Sequence, residues 1–381
     1  MGDRILLSLC HMSGREMDYI SAAFRDNWVV PLGPCVDEFE RRLEAYLGVE
    51  EGRVVALSAG TAAIHLGLVA LGVTAGDEVI CQSFTFAASA NPITYLGASP
   101  VFVGSEPDTW NMSPTALEKA IKARYEATGR FPRAIIAVHL YGVPAKWDEI
   151  SAVADKFGIP VLEDAAEALG SEYHGIKCGT LGRYGVLSFN GNKIITTSGG
   201  GALVCPDVAA AKRVKYLATQ AREPRPYYYH VTTGYNYRLS NICAAIGCGQ
   251  MEVLQQHVDR RRQIHGIYAQ ALADVPGLKV VSCDEEDCTP NYWLTTVLFT
   301  QHPGIKPEEV RLAMENQNIE TRWLWRPMHM QPVFAGVPYY GDHTSDELFE
   351  HGLCLPSGSG LTDSDIYRVI ECLTNIIVSN R

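Results

Sequence analysis

No stretch of the 381 residues approaches the roughly 20 consecutive apolar residues that a bilayer-spanning helix needs. The N-terminus, MGDRILLSLCHMSGREMDY, has only a short apolar run before charges return, too little for a signal peptide with a clear cleavage site. Positive charge is also in deficit: 32 Lys and Arg stand against 43 Asp and Glu, a formal net charge of -11. That balance argues against non-specific binding to nucleic acid or anionic membranes, both of which need a basic surface. An anionic small substrate stays compatible, because a local basic pocket can sit on an acidic protein. Repeats, low-complexity tracts and long linkers are missing. No G-x-G-x-x-G follows a candidate strand, so the usual sign of a nicotinamide cofactor is missing too. Cysteines are plentiful, eleven from Cys10 to Cys372, but metal-ligand spacing is not. The pairs Cys243/Cys248 and Cys283/Cys288 have no second pair or His-x-x-x-His nearby, so no metal site is expected. An odd cysteine count without a secretory signal predicts reduced thiols and a cytoplasmic location.

Hydrophobic residues make up 47% and charged residues 20%, an ordinary globular balance. The length exceeds the roughly 250–300 residues at which one core stops growing, so two structural parts are expected. Short apolar runs recur between residues 54 and 207: Val54 to Leu57, Glu78 to Cys81, Pro100 to Val103, Ala134 to Val138, Pro160 to Leu162, Gly185 to Phe189 and Gly201 to Val204. Near-continuous apolar strands predict a mainly parallel sheet covered by helices on both faces. Helical spacing fills Thr61 to Leu71, Ser113 to Ala127 and Trp147 to Phe157, with Ser113-Pro114 as a cap and first-turn proline. Further helices are expected at Asp207 to Ala221, Asn241 to about Ala273, 306–317 and 363–379, with strands at Leu278 to Val281 and Tyr292 to Phe299. The expected class is α/β, with a large domain over 1–254 and a smaller C-terminal α/β domain over 255–381. The N-terminal segment is left free to pack on the smaller part.

Four motifs carry chemistry, and in an open parallel sheet ligands gather at the carboxyl ends of strands. Ser58-Ala59-Gly60-Thr61 follows a strand and opens a helix, where free N–H groups suit a phosphate; an ordinary glycine turn reads the same. Glu163-Asp164 ends an apolar strand, and acids there are unfavourable unless something needs the charge. Asp164 could keep a pyridine nitrogen protonated, or both acids could simply favour a helix N-terminus. Ser188-Phe189-Asn190-Gly191-Asn192-Lys193 follows a strand and precedes Gly199-Gly200-Gly201. A desolvated Lys193 could form a Schiff base, and Ser188 and Asn190 alternate so as to face one way. Gly234-Tyr235-Asn236-Tyr237-Arg238-Leu239-Ser240 offers Arg238 as an anion clamp, or a helix-capping loop.

Together with Ser83-Phe84-Thr85-Phe86 and Glu163-Asp164-Ala165-Ala166-Glu167-Ala168-Leu169-Gly170, these motifs resemble the DegT/DnrJ/EryC1/StrS aminotransferases. The likeness runs in order from Gly33-Pro34 to Met328-His329. It implies the type I pyridoxal 5'-phosphate (PLP) fold, like that of aspartate aminotransferase, and a homodimer with shared active sites. Lys193 would then carry the cofactor as a Schiff base, and Asp164 would pair with the pyridine nitrogen. Phe86 would stack on the ring. Ala59, Gly60, Thr61, Ser188 and Asn190 would hold the phosphate, with Asn236 reaching it from the neighbouring subunit. Glu167 stands where relatives often carry His or Gln beside the ring. The tail from Thr321 to Phe334 is similar to the branch that aminates UDP-2-acetamido-2,6-dideoxy-hexos-4-ulose on the way to bacillosamine-type glycans. Trp325, Arg326 and His329 could stack on or donate to a sugar nucleotide; two tryptophans could equally be core. L-glutamate would be the amino donor, with pyridoxamine phosphate as the intermediate. Rival readings are a 3-keto or a GDP- or dTDP-linked sugar, and a PLP-binding regulator without turnover.

Overall fold

The computed structural model describes residues 3–283, 287–300 and 306–379. The chain opens with α1 (Glu16–Arg25) and α2 (Pro34–Leu47), whose Val36, Phe39, Leu43 and Leu47 recur every three or four residues and face inward. Then β1 (Val54–Leu57), α3 (Gly60–Ala70), β2 (Glu78–Gln82), α4 (Ala87–Tyr95), β3 (Ser99–Val103), α5 (Pro114–Thr128), β4 (Ala134–Val138), α6 (Trp147–Phe157) and β5 (Val161–Asp164) alternate. A small hairpin, β6 (Glu172–Tyr173) and β7 (Ile176–Lys177), leads into β8 (Tyr184–Ser188), β9 (Gly201–Val204) and α7 (Val208–Ala218). Two helices follow, α8 (Asn241–Met251) and α9 (Leu254–Leu272). The remainder holds β10 (Leu278–Val280), β11 (Cys288–Thr289), β12 (Thr295–Phe299), α10 (Pro307–Glu315), β13 (Arg322–Trp323), β14 (Tyr339–Tyr340), α11 (Thr344–His351), β15 (Gly352–Leu355) and α12 (Asp363–Ser379).

Eight strands form the large sheet in the order β1-β9-β8-β5-β4-β2-β3-β14. Only β9 runs against its neighbours, β1 and β8. The strands β1 and β4 are buried along their whole length, which their unbroken apolar runs require of a sheet covered on both faces. A second sheet, β10-β12-β15-β13, is antiparallel throughout. It has its own core, with Ile264 and Tyr268 of α9, Val297, Leu353, Ile366 and Leu373. The N-terminal segment joins this smaller part: the Ile5 N–H donates to Asn318 O at 2.8 Å, and the Ser357 N–H to Leu7 O at 2.8 Å.

Two features depart from the expected pattern. The single helix expected over 241–273 is two, broken at Glu252 and Val253, where the N–H groups bond back only three residues, to Gly249 and Gln250. The break lets α8 pack on α1 and α2 while α9 packs on the smaller sheet. Second, Tyr339–Tyr340 returns to the large sheet beside β3, so the C-terminal third supplies a strand to both sheets. Among the described residues, no helix is long and apolar enough to cross a membrane.

Candidate active site

A cavity of about 470 Å³ opens at the carboxyl ends of β1, β5 and β8, lined by Thr61, Phe86, Asp164, Glu167, Ser188, Asn190, Lys193, Trp293 and Trp325 among others. The parallel strands deliver these residues to one edge, each in the loop that leaves a strand.

The turn after β1 forms the first wall. Ala59 precedes α3 in an extended conformation and offers no side-chain cap, whereas Ser113, Asp207 and Ser240 cap their own helices. The first amides of α3 therefore face the cavity without a side-chain acceptor, at the positive end of the helix. Close packing holds this turn in place. A Cβ on Gly201 would lie 2.4 Å from the Gly60 nitrogen, so β9 reaches the turn only as glycine. Ser188 and Asn190 line the cavity while Phe189, between them, is buried edge-on against Phe39, as strand alternation requires.

The end of β5 divides two acids by the same alternation. Glu163 is buried away from the cavity and accepts from His139 Nε2 at 2.9 Å, Leu181 N–H at 2.7 Å, Gly182 N–H at 2.9 Å and the Gly179 N–H. It organises the turn before β8. Asp164 lines the cavity and accepts from Ser89 Oγ at 2.7 Å and the Ala166 N–H at 3.1 Å. Burial pushes the Asp164 carboxyl above the usual range, against the pull of those donors and of Lys193. A protonated heterocyclic nitrogen would meet that carboxylate directly.

Lys193 Nζ sits 3.5 Å from Glu167 Oε1 and 3.8 Å from the Trp293 ring centroid. Burial lowers the affinity of this amine for its proton; Glu167 and Asp164 oppose the effect. Burial also raises the Glu167 carboxyl, which is anchored by the Tyr141 N–H at 2.7 Å. A desolvated amine between two carboxylates is the setting in which lysine becomes a nucleophile and a proton carrier. Above it stands Phe86, 52% exposed and free to stack, with the Trp325 ring 5.1 Å away. Asn192 Oδ1 and Trp325 Nε1 are buried on the cavity lining without a partner. Open helix-terminal amides, a carboxylate, a desolvated lysine and an exposed aromatic fit the phosphate, ring nitrogen, aldehyde and ring face of PLP.

Four residues singled out in the sequence lie elsewhere. Arg238 is not a substrate clamp: its buried guanidinium donates to Glu40 Oε1 at 2.7 Å and Ala56 O at 2.9 Å, neutralising a core carboxylate beneath β1. His329 is not free to donate to a ligand. Its Nδ1 meets Ser83 Oγ at 2.7 Å, its Nε2 meets Asp346 at 3.1 Å, and its ring stacks on Tyr339. Arg326 is exposed and outside the cavity lining. Asn236 lies on the outer surface, in a depression with Trp28, Leu32 and Asp37. The cavity also uses residues that no motif revealed, Ser89, which holds Asp164, and Trp293, and it takes Arg322 from the tail in which only Trp325, Arg326 and His329 were singled out.

The family pattern of the DegT/DnrJ/EryC1/StrS aminotransferases matches residues 11–374. The chain belongs to this family. It is an aminotransferase of the type I PLP fold, and PLP is its cofactor. A Bacillus subtilis (strain 168) relative, EpsN, described provisionally as a pyridoxal phosphate-dependent aminotransferase, is 50% identical over 380 residues, covering 99% of this chain and 96% of the relative. GDP-perosamine synthase of Caulobacter vibrioides is 36% identical over 375 residues, covering 98% and 99%. Among solved structures, DesI in the presence of its TDP-sugar product superposes with a TM-score of 0.88 at 30% identity, covering 99% of this chain and 94% of that one.

Proposed function

We propose that this aminotransferase acts on a nucleotide-linked 4-keto-6-deoxy sugar, UDP-2-acetamido-2,6-dideoxy-hexos-4-ulose, and makes the 4-amino sugar with L-glutamate as donor. The observation that carries the reading is Lys193, a largely desolvated amine on the cavity lining, 3.5 Å from Glu167 and under the charge of Asp164. PLP, when bound, supplies an aldehyde that condenses with amines and a ring that draws electrons from the reacting carbon. Asp164 holds the proton at the ring nitrogen. Lys193 Nζ would move the proton at the carbon whose amino group is exchanged. Glu167 and the Trp293 face fix where that amine returns. The α3 amides, Thr61, Ser188 and Asn190 would hold the phosphate. One site serving donor and acceptor in turn predicts ping-pong kinetics.

The nucleotide-sugar class is supported by relatives named for GDP-perosamine and for a TDP-sugar product. Those names favour a second reading, a GDP- or dTDP-linked keto sugar. A panel of keto-sugar nucleotides, with glutamate as donor, separates the two: turnover of the UDP sugar at the highest kcat/KM supports the first reading, and preference for another nucleotide rejects it.

We further propose a homodimer in which Asn236 reaches the partner's phosphate site. Asn236 is exposed outside its own cavity, in a surface depression with the exposed Trp28 and Leu32. Apolar exposure of that kind marks an association surface.

A further inference from the structure

The loop that carries Lys193 is anchored from outside the large sheet. The Asn192 carbonyl, one peptide before Lys193, accepts from Ser8 Oγ at 2.8 Å and from Trp293 Nε1 at 2.7 Å. Ser8 lies in the N-terminal segment, and Trp293 just before β12. The same indole lies 3.8 Å from Lys193 Nζ at its centroid. Both donors are held by one residue. Arg261 of α9 donates through Nη2 to Ser8 Oγ at 3.0 Å and through Nη1 to the Trp293 carbonyl and to Ser357 O at 3.1 Å.

Arg261 is 1% exposed, and among the described residues no carboxylate pairs with it. Its Nε has no partner. A buried guanidinium facing only carbonyl and hydroxyl oxygens is unfavourable for stability compared with an apolar side chain of similar size. Its rigid fork does, however, fix several acceptors at once, which no neutral side chain of that length can do.

We propose that Arg261 is a positioning residue for Lys193, acting from the small domain through Ser8 and Trp293, which converge on the Asn192 carbonyl and on the lysine amine. This rests on the reading of Lys193 as the cofactor's lysine. Ser8 Oγ accepts from Arg261 and donates onward, so the relay has a defined direction. Trp293 is held at its backbone carbonyl by Arg261 and at its indole nitrogen by the Asn192 carbonyl, so its ring cannot swing off the amine without losing the indole bond. The network joins α9 and the N-terminal segment to the lysine loop of the large sheet. The position of the small domain is thereby written into the position of Nζ. The charge of Arg261 also adds to the effect of burial in disfavouring the ammonium form, against Glu167 and Asp164.

Four variants of the holoenzyme test this: Arg261→Lys, Arg261→Met, Ser8→Ala and Trp293→Phe. Each is measured by kcat and KM for the glutamate half-reaction, by visible circular dichroism of the lysine-bound cofactor, and by the pH titration of its visible band. Thermal melting controls for folding. Arg261→Lys keeps the charge and loses the fork, so kcat falls about tenfold or more with KM little changed, and the dichroic band changes. Arg261→Met does the same and moves the titration midpoint upward. Ser8→Ala and Trp293→Phe together cost more than the product of the single effects, because both donate to one oxygen. The last pair keeps the test open if Arg261→Met does not fold. Folded variants with wild-type kcat, dichroism and titration overturn the proposal, as does lower melting with no change in those three. A wild-type protein that takes up no PLP would instead overturn the reading of Lys193 beneath it.

Discussion

At the scale of single residues, the account rests on three ionisable groups lining one cavity, Asp164, Glu167 and Lys193. Replacing Lys193 with Ala is expected to abolish turnover, and substantial remaining activity would remove it from the mechanism. Asp164→Asn is expected to cost several orders of magnitude in kcat, because the ring nitrogen loses its counter-charge. The same variant should be more stable without cofactor. Burial raises the folded-state proton affinity of Asp164 above that of the unfolded chain, so its charge opposes folding at neutral pH. That penalty is missing below the unfolded value and grows as pH rises toward the folded one. Cofactor-free Asp164→Asn should therefore melt higher at pH 7, with the gain shrinking in acid. A lower melting temperature at pH 7 would contradict this. Arg238 behaves oppositely: Arg238→Met should lower stability by about 3 kcal/mol with substrate KM unchanged, since it removes a partner of buried Glu40. Denaturant unfolding and steady-state kinetics separate the two effects.

At the scale of elements, the seven apolar runs between residues 54 and 207 all lie in strands of the large sheet, because strands buried on both faces announce themselves by composition. That the turn after β1, Asp164 and Lys193 would meet in one cavity was legible for a related reason: each polar group breaks an apolar strand at its end. Arg238 and His329 were misplaced because sequence gives residue type and not partner. Glu40 lies 198 positions from Arg238, and Ser83 lies 246 from His329. Trp293 was invisible for the same reason, arriving in the cavity from the strand-rich second part with no motif around it. The turn after β1 offers the sharpest test at this scale. Gly201→Ala would drive a Cβ to 2.4 Å from the Gly60 nitrogen, so PLP affinity should fall about a hundredfold, read by titration of the visible band. Unchanged affinity would mean that the turn does not hold the phosphate.

At the scale of the whole molecule, the proposed homodimer makes a prediction of its own. If Asn236 serves the partner's site, Lys193→Ala and Asn236→Ala subunits should complement each other. Random mixing leaves one intact site in each mixed dimer, and so roughly a quarter of wild-type activity. No recovery after subunit exchange would place Asn236 in its own subunit or outside the site. The proposed substrate depends on this assembly and on the cofactor chemistry beneath it, and that chemistry is the most direct test. Purified protein should show a visible absorption band that borohydride bleaches with covalent attachment at Lys193, and that L-glutamate shifts to shorter wavelength. A colourless protein that takes up no added PLP, or a band attached elsewhere than Lys193, would contradict the account.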